Sequence, residues 1–161
     1  MNKKSFWTGF LTGVFLTIIT LFLVIRSFII QPDVSLSKMK VEDLSGKQVN
    51  LSEMLGKPIV INYWATWCAP CRQEFPEFEI VKKRLGNKVT FLMISDETTK
   101  VIQRFKDKNS YSFNYLRATK GFEEVSARPT TFIYNSKGKL ITKHTGGLNE
   151  KELMEMLNKI E

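Results

Sequence analysis

Two cysteines, Cys68 and Cys71, are the only ones in this chain of 161 residues. Their Cys-x-x-Cys spacing is typical of a redox-active dithiol or of half a metal site, and two cysteines cannot form a disulfide framework. The pair stands between an apolar run, 59–64, and a segment with helical periodicity. A dithiol at the start of a helix is suited to exchanging electrons with other disulfides.

The position at a helix start predicts different roles for the two sulfurs. Only a thiolate attacks a disulfide, and the unpaired N–H groups and positive dipole end of a helix stabilise a thiolate. We expect Cys68 to be the exposed nucleophile and Cys71, one turn inward, to resolve the mixed disulfide. Pro70 suits an early helical position because it lacks an N–H that would be unpaired there. Trp67 is expected to shield one side of the dithiol.

Other uses of these residue types stay open at this point. A zinc site would need a second ligand pair, and His144 is the sole histidine, so we predict no metal unless two chains share the site. Two buried structural cysteines are a further alternative. Asp96 and Glu97 follow an apolar run, where catalytic carboxylates can lie, but acids at the start of a helix are the favoured interpretation.

Strands and helices alternate along most of the chain. The apolar runs 59–64 and 89–94 are typical of strands buried on both faces. Apolar residues between them recur at helical spacing. A hairpin is predicted over 41–51, with Ser-Gly at its turn, and strands at 131–134 and 140–142 precede a final helix. This order predicts an α/β fold with a central mixed β-sheet flanked by helices.

The first thirty residues differ from the rest. Residues 7–25 carry no charge, and a helix of that length approaches the roughly 30 Å hydrocarbon core of a bilayer. We therefore predict a transmembrane anchor within residues 1–30, with the lipid bilayer as its partner. It is favoured over a cleavable signal peptide because no small-residue cleavage site follows.

The flanking charges predict an orientation. Lys3 and Lys4 precede the uncharged run and Arg26 alone follows it closely. The positive-inside rule then places the N-terminus in the cytoplasm and the remainder outside the cytoplasmic membrane. Residues 31–39 are predicted to form a linker, and residues 40–161 to form the folded domain.

The formal net charge of the chain is +8. The basic residues beyond the anchor are scattered, which favours a solvated surface over binding to anionic lipid headgroups or to an acidic partner. No nucleic-acid motif accompanies them, so we predict no nucleic-acid partner.

Several motifs together resemble one family. They are Asp43-Leu44-x-Gly46-Lys47, Leu51-Ser52, Gly56-Lys57-Pro58, Asn62-Tyr63-Trp64-Ala65-Thr66-Trp67-Cys68-Ala69-Pro70-Cys71-Arg72-x-Glu74-x-Pro76, Pro129-Thr130-Thr131-Phe132-Ile133 and Gly138-Lys139. From about residue 40 to its end, the chain resembles membrane-anchored thioredoxin-like proteins of the TlpA/ResA type.

The resemblance implies a thioredoxin-like fold with an N-terminal β-hairpin extension. It implies a thiol–disulfide oxidoreductase that uses no cofactor other than its redox-active Cys68–Cys71 disulfide. It also implies that Pro129 is a cis-proline facing the dithiol, and that the backbone beside it, at Thr130, pairs with a substrate strand. The implied substrates are cell-envelope proteins, apocytochromes c among them, and a membrane carrier is the implied electron donor.

The chain departs from related patterns at three positions. Asn62 stands where cytoplasmic thioredoxins carry a buried acid, and it cannot take the proton of Cys71. Glu74, one turn along the helix, is a candidate substitute, although a capping or surface role is equally compatible. Ala69 stands where some cytochrome-maturation members carry an acid, which weakens the assignment to apocytochromes. Arg128 precedes the expected cis-proline, and we expect its charge to stabilise the attacking thiolate or to attract an acidic substrate.

Three other functions remain as alternatives. The same dithiol could serve an oxidase or isomerase, because direction depends on how well each redox state is stabilised. A peroxidase of the peroxiredoxin type is disfavoured because Ala65 stands where such enzymes carry threonine. A copper-handling or assembly protein is disfavoured because the wider cysteine spacing and the partnering histidine are not evident.

Overall fold

The structure, a computed structural model, describes residues 3–29 and 34–160. It divides the chain into two compact units, Met1–Asp33 and Val34–Glu161. In the first unit the core of the predicted anchor, residues 7–25, lies within helix α1 (Lys3–Ile29). Residues 1, 2 and 30 of the predicted anchor and residues 31–33 of the predicted linker lie outside the described residues. Over the described part of the chain, no helix satisfies both the length and the hydropathy required of a membrane span.

A mixed sheet forms the centre of the second unit. Its described strands are β1 (Lys40–Glu42), β2 (Gln48–Val49), β3 (Ile59–Tyr63), β4 (Thr90–Ser95), β5 (Asn114–Lys120), β6 (Thr130–Tyr134) and β7 (Leu140–Thr145). They are arranged in the order β2-β1-β5-β4-β3-β6-β7. Strands β3, β4 and β5 are parallel, whereas the other pairings are antiparallel. The predicted α/β architecture and the predicted hairpin, now β1 and β2, are confirmed.

Helices cover one face of this sheet and irregular chain covers the other. The helices are α2 (Ala69–Leu85), α3 (Thr99–Lys108) and α4 (Glu150–Leu157). Their buried apolar residues on the helical face include Phe75, Phe78, Val81, Ile102, Leu153 and Leu157. The opposite face is covered by Val34, Leu36, Met39, Leu51, Phe122 and Val125. Strands β3 and β4 are buried on both sides, and each fully buried large apolar side chain contributes about 1.5–3 kcal/mol.

The segment 34–39, assigned to the linker on sequence, packs on the non-helical face of the sheet. Val34, Leu36 and Met39 are buried there, and the hydroxyl of Tyr134 donates to the Val34 carbonyl at 2.5 Å. The backbone of Lys38 and Met39 also passes close to Gly121, which has φ +91°. A Cβ added at Gly121 would lie 2.5 Å from the Lys38 carbonyl oxygen. The folded unit therefore begins earlier than the predicted boundary at residue 40.

Loops at the ends of the strands form two opposite edges of the sheet. The dithiol edge contains the loops that follow β3, β4 and β5 and the loop that precedes β6. The edge opposite to it contains the loops that precede β3, β4 and β5 and the turn between β6 and β7. Because Cys68 follows β3 and Pro129 precedes β6, and β3 and β6 are antiparallel, both residues lie on the dithiol edge.

Candidate active site

The two cysteines form a disulfide at the first turn of α2, with their Cα atoms 5.3 Å apart. Cys68 is the N-cap residue, and its Sγ accepts the backbone N–H of Cys71 at 3.3 Å. Pro70 lies in the first turn, as predicted. The N-terminus of α2 thus supplies unpaired N–H groups close to the sulfur that is to attack.

The two sulfurs differ in accessibility, though less than predicted. Cys68 keeps 4% of its surface exposed and Cys71 keeps none. We expected an exposed Cys68, and the structure shows it almost fully buried. The loop before it forms a turn, in which the Cys68 N–H donates to the Ala65 carbonyl at 3.1 Å. Trp67 projects from this loop and is 69% exposed. It leaves an aromatic surface exposed at the residue directly before Cys68.

The Arg128–Pro129 peptide bond is cis, as the family resemblance predicted. Strand β6 begins at the next residue, Thr130, which pairs with Tyr63 at the end of β3. The Pro129 carbonyl accepts the N–H of Gly146 at 2.9 Å, and the Thr130 hydroxyl donates to the Ala127 carbonyl at 2.9 Å. These bonds fix the loop that enters β6 at the dithiol edge.

Glu74, the candidate substitute for the buried acid that Asn62 replaces, is a direct partner of Asn62. The Asn62 amide nitrogen donates to Glu74 Oε1 at 2.7 Å and to the Thr131 hydroxyl at 3.1 Å. Glu74 Oε2 accepts the N–H of Leu148 at 3.0 Å. The carboxyl is therefore held between β3, α2 and the segment that leads into α4.

Burial controls the ionisation of Glu74. It raises the pKa of this carboxyl to about 7, although the hydrogen bonds from Asn62 and Leu148 act in the opposite direction. No lysine or arginine pairs with Glu74 among the described residues. Asn62 Oδ1 is buried without a hydrogen-bond partner. A protonated Glu74 could donate to that oxygen after the amide rotates, so the pair can accommodate either charge state.

Arg128 is held above an aromatic surface on the dithiol edge. Its guanidinium carbon lies 4.4 Å from the centroid of the Tyr63 ring and 5.7 Å from that of Trp67. Nη2 donates to the Tyr63 hydroxyl at 2.7 Å and to Asp96 Oδ2 at 2.5 Å. Burial raises the pKa of Tyr63 to about 12, an effect that Asp96 reinforces and the Arg128 charge opposes. Arg128 thus places a positive charge beside Trp67.

Glu97 binds the active-site loop, a role that the sequence did not reveal. Its carboxylate accepts the backbone N–H of Thr66 at 2.6 Å and the Thr66 hydroxyl at 2.7 Å. The Ser95 hydroxyl donates to the same carboxylate at 3.3 Å. The preferred interpretation of Asp96 and Glu97 as helix-start acids is wrong, because the first turn of α3 contains neither residue. The only available signal was their position after a buried strand, on the edge where catalytic groups collect.

The described residues 3–29 and 34–160 hold no group of three or more His, Cys, Asp or Glu side chains placed to bind a metal ion. His144 lies in β7 opposite Thr131. The candidate residues on the dithiol edge and in the first turns of α2 are the buried carboxyl of Glu74, Arg128 and Trp67.

The Cys-x-x-Cys disulfide lies at the N-cap of a helix, and a cis-proline directly precedes the neighbouring strand β6. This combination defines a thioredoxin-like thiol–disulfide oxidoreductase. The chain belongs to the AhpC/TSA family, whose sequence signature matches residues 31–143. It is 33% identical over 134 residues to the thioredoxin-like protein YneN of Bacillus subtilis strain 168, which covers 79% of this chain and 76% of YneN.

One further relative and one solved structure extend the comparison. The chain is 32% identical over 129 residues to the thiol–disulfide oxidoreductase ResA of Halalkalibacterium halodurans, covering 75% of this chain and 72% of ResA. The crystal structure of StoA from Bacillus subtilis matches with a TM-score of 0.60 at 21% identity, over 73% of this chain and 94% of that one. The StoA match shows the shared fold, and the ResA match confirms the resemblance drawn from the motifs.

Proposed function

We propose that this chain is a membrane-anchored reductant of disulfides in extracytoplasmic proteins. The observation that supports this best is the asymmetric cysteine pair on the dithiol edge, in which Cys68 keeps 4% of its surface exposed and Cys71 keeps none. Trp67, which is 69% exposed, and the loop that carries Pro129 lie on the same edge as the pair and offer a surface for a partner peptide. This arrangement suits a protein disulfide as substrate, because the substrate must reach one sulfur and not the other.

The proposed reaction has two exchange steps. The thiolate of reduced Cys68 attacks one sulfur of the substrate disulfide, which forms a mixed disulfide and releases the other substrate sulfur as a thiolate. Deprotonated Cys71 then attacks Cys68, which closes the enzyme disulfide and releases the second substrate sulfur. Two electrons and two protons pass to the substrate. A membrane electron donor restores the dithiol in this scheme.

Glu74 is the proposed acceptor for the Cys71 proton. The two residues lie three positions apart in α2 and so share a face of the helix, and both are buried. A carboxyl with a pKa of about 7 is close to half ionised at neutral pH, which is where a group exchanges protons most effectively. Asn62 holds the carboxylate and so positions it.

The location of the domain is part of the proposal. Residues 7–25 carry no charge and follow two lysines, and this pattern supports an anchor with the N-terminus inside and the domain outside. Extraction of membranes with alkaline carbonate tests the anchor, since an anchored chain stays in the pellet. Protease added to intact spheroplasts tests the side, since an external domain is digested while the membrane is closed.

Trapping of the mixed disulfide tests the function. In a Cys71→Ser variant, a substrate attacked by Cys68 stays attached, and mass spectrometry of the trapped complex identifies it. The matched Cys68→Ser variant keeps one cysteine but lacks the attacking sulfur, so we expect it to trap nothing. Equal trapping by both variants would contradict the assigned roles. Recovery of apocytochromes c would place the protein in cytochrome c maturation.

The reduction potential tests the direction of electron flow. A reductant needs a potential well below about −200 mV, whereas oxidases and isomerases lie above it. Equilibration of the purified chain with glutathione or dithiothreitol buffers measures this value. A potential in the oxidase range would replace the proposed reductant with an oxidase on the same site.

A further inference from the structure

We propose that the edge of the sheet opposite the dithiol docks on the anionic phospholipid headgroups of the bilayer. The edge comprises the segments 51–58, 82–89, 106–113 and 135–139, and we call it the basic edge. The proposal rests on the membrane anchor proposed above, because that anchor brings the bilayer within reach of the domain.

Charge is distributed unequally between the two edges. The basic edge carries nine basic residues against two acids, Glu53 and Asp107: Lys57, Lys82, Lys83, Arg84, Lys88, Lys106, Lys108, Lys137 and Lys139. The loops of the dithiol edge, 64–72, 96–100, 120–129 and 145–149, are balanced, and the segment 36–40 beside them adds only Lys38 and Lys40. The charged residues of these loops are Arg72, Lys100, Lys120 and Arg128 against Asp96, Glu97, Glu123 and Glu124. The scattered basic residues of the sequence are therefore concentrated by the fold.

Most of this charge is not neutralised within the domain. Lys83 pairs with Glu79, and Arg84 pairs with Glu150. Five lysines are exposed and form no ion pair with any residue that the structure describes: Lys88, Lys106, Lys108, Lys137 and Lys139. Lysines close to an anionic membrane surface are attracted to it. Headgroup phosphates would also relieve the repulsion among these cations.

The path of the chain favours a lipid partner over an acidic protein. Tyr134 ends β6 beside the turn that holds Lys137 and Lys139, and its hydroxyl binds the Val34 carbonyl. The chain therefore enters the domain at the basic edge. Only eight positions of the sequence separate Arg26 from Val34, and eight residues of fully extended chain span at most about 29 Å. The bilayer is thus the anionic surface that this edge meets at the highest local concentration.

An exposed apolar side chain on this edge fits the same partner. Leu55 is 39% exposed. It lies beside Gly138 in the turn between β6 and β7, since a Cβ added at this glycine would be 3.0 Å from Leu55 Cδ2. A leucine among lysines is typical of surfaces that rest in the headgroup region. Because six strand residues span about 20 Å, such docking would hold the dithiol about 20 Å above the headgroups, facing away from the membrane.

Depth-dependent fluorescence quenching tests this orientation. The full chain, in a Cys68→Ser and Cys71→Ser background, is labelled through Ser136→Cys on the basic edge or through Glu124→Cys on the dithiol edge. It is reconstituted with spin-labelled lipid in vesicles of phosphatidylcholine, with or without phosphatidylglycerol. We expect phosphatidylglycerol to increase quenching at position 136 several-fold, high salt to reverse the increase, and position 124 to show no change.

Charge reversal provides the matched control. Lys108→Glu with Lys139→Glu should abolish the increase, whereas Lys100→Glu with Lys120→Glu, the same change of charge on the dithiol edge, should preserve it. Equal quenching in both vesicle types, or equal effects of the two pairs, would overturn the proposal and make an acidic protein the remaining partner chemistry. Two further measurements keep the earlier proposals separate from this one. Pelleting with phosphatidylcholine vesicles tests the anchor, and insulin reduction by the wild-type chain tests the proposed activity.

Discussion

Glu74 follows the disulfide in α2, Glu97 binds the loop that precedes the disulfide, and the two carboxylates are held in opposite ways. Glu74 is buried, receives one amide and one backbone N–H, and has a pKa raised to about 7. Glu97 is only partly buried and receives a backbone N–H and two hydroxyls from Thr66 and Ser95. The surroundings of Glu74 thus allow it to gain and lose a proton, whereas those of Glu97 make it hold the backbone of the loop in place.

The difference shows what sets the role of a carboxylate in this fold. Desolvation without a nearby cation leaves the neutral and charged forms of Glu74 close in free energy. Multiple donors hold Glu97 in one geometry and orient the loop two residues before Cys68. We therefore expect substitutions of Glu74 to change pH dependence, and substitutions of Glu97 to change loop stability.

The largest expected effect is on stability as a function of pH. Folded Glu74 holds its proton up to about pH 7, whereas the unfolded chain releases it near the ordinary value of 4.5. The folded state therefore binds more protons between these values, and the free energy of unfolding falls as pH rises from about 4.5 to 7. The gap corresponds to about 3 kcal/mol. Urea unfolding near pH 5 and pH 8 should show this loss in the wild type but not in Glu74→Gln. Parallel curves for the two proteins would refute it.

The next effect is on the resolving step. Glu74→Gln keeps the size of the side chain but removes the proton acceptor, so we expect release of the reduced substrate to slow on the order of 10²-fold. The inflection near pH 7 in the rate should also disappear. Stopped-flow measurement of the decay of a preformed mixed disulfide gives both values. Glu77→Gln, one turn further along α2, is the control and should behave as the wild type.

Glu97 should show a smaller effect of a different kind. Glu97→Gln leaves the Thr66 N–H with a poorer acceptor, at a cost of about 2 kcal/mol in the free energy of unfolding. The inflection near pH 7 should remain. Thr66→Val removes only the hydroxyl contact and should cost less. If Glu97→Gln abolished the pH inflection while leaving stability intact, the division between the two carboxylates would be wrong.

Arg128 should show the smallest effect. Replacement by methionine keeps much of the contact with Tyr63 but removes the charge. The attraction of this charge for an acidic group is about 1 kcal/mol at a partly exposed site. We expect reduction of peptides with an acidic residue beside the disulfide to slow about fivefold, with neutral peptides unaffected. Arg72→Met, which removes an exposed charge at the same edge, is the control. Unchanged peptide rates and unchanged alkylation of Cys68 would remove Arg128 from the site.

The parts of this site that follow from local sequence could be predicted. The dithiol at a helix start, the α/β order and the hairpin depend on spacing, periodicity and turn residues, which a single sequence contains. The cis bond at Pro129 came from the family resemblance and not from the residues around it.

The remaining features depend on contacts between distant segments. Glu97 binds a loop 31 residues earlier, and Asn62 meets Glu74 only because β3 packs against α2. Segment 34–39 appeared to be a linker because its three apolar residues are separated by polar ones. The covering of Cys68 depends on a backbone turn that no residue type specifies.

The close crossing at Gly121 has a practical consequence for handling the protein. Anyone who prepares a soluble fragment by cutting at residue 40 would delete Val34, Leu36 and Met39, expose the apolar sheet face beneath them and remove the chain that Gly121 is shaped to receive. Such a fragment should aggregate, so residue 34 is the latest safe starting point.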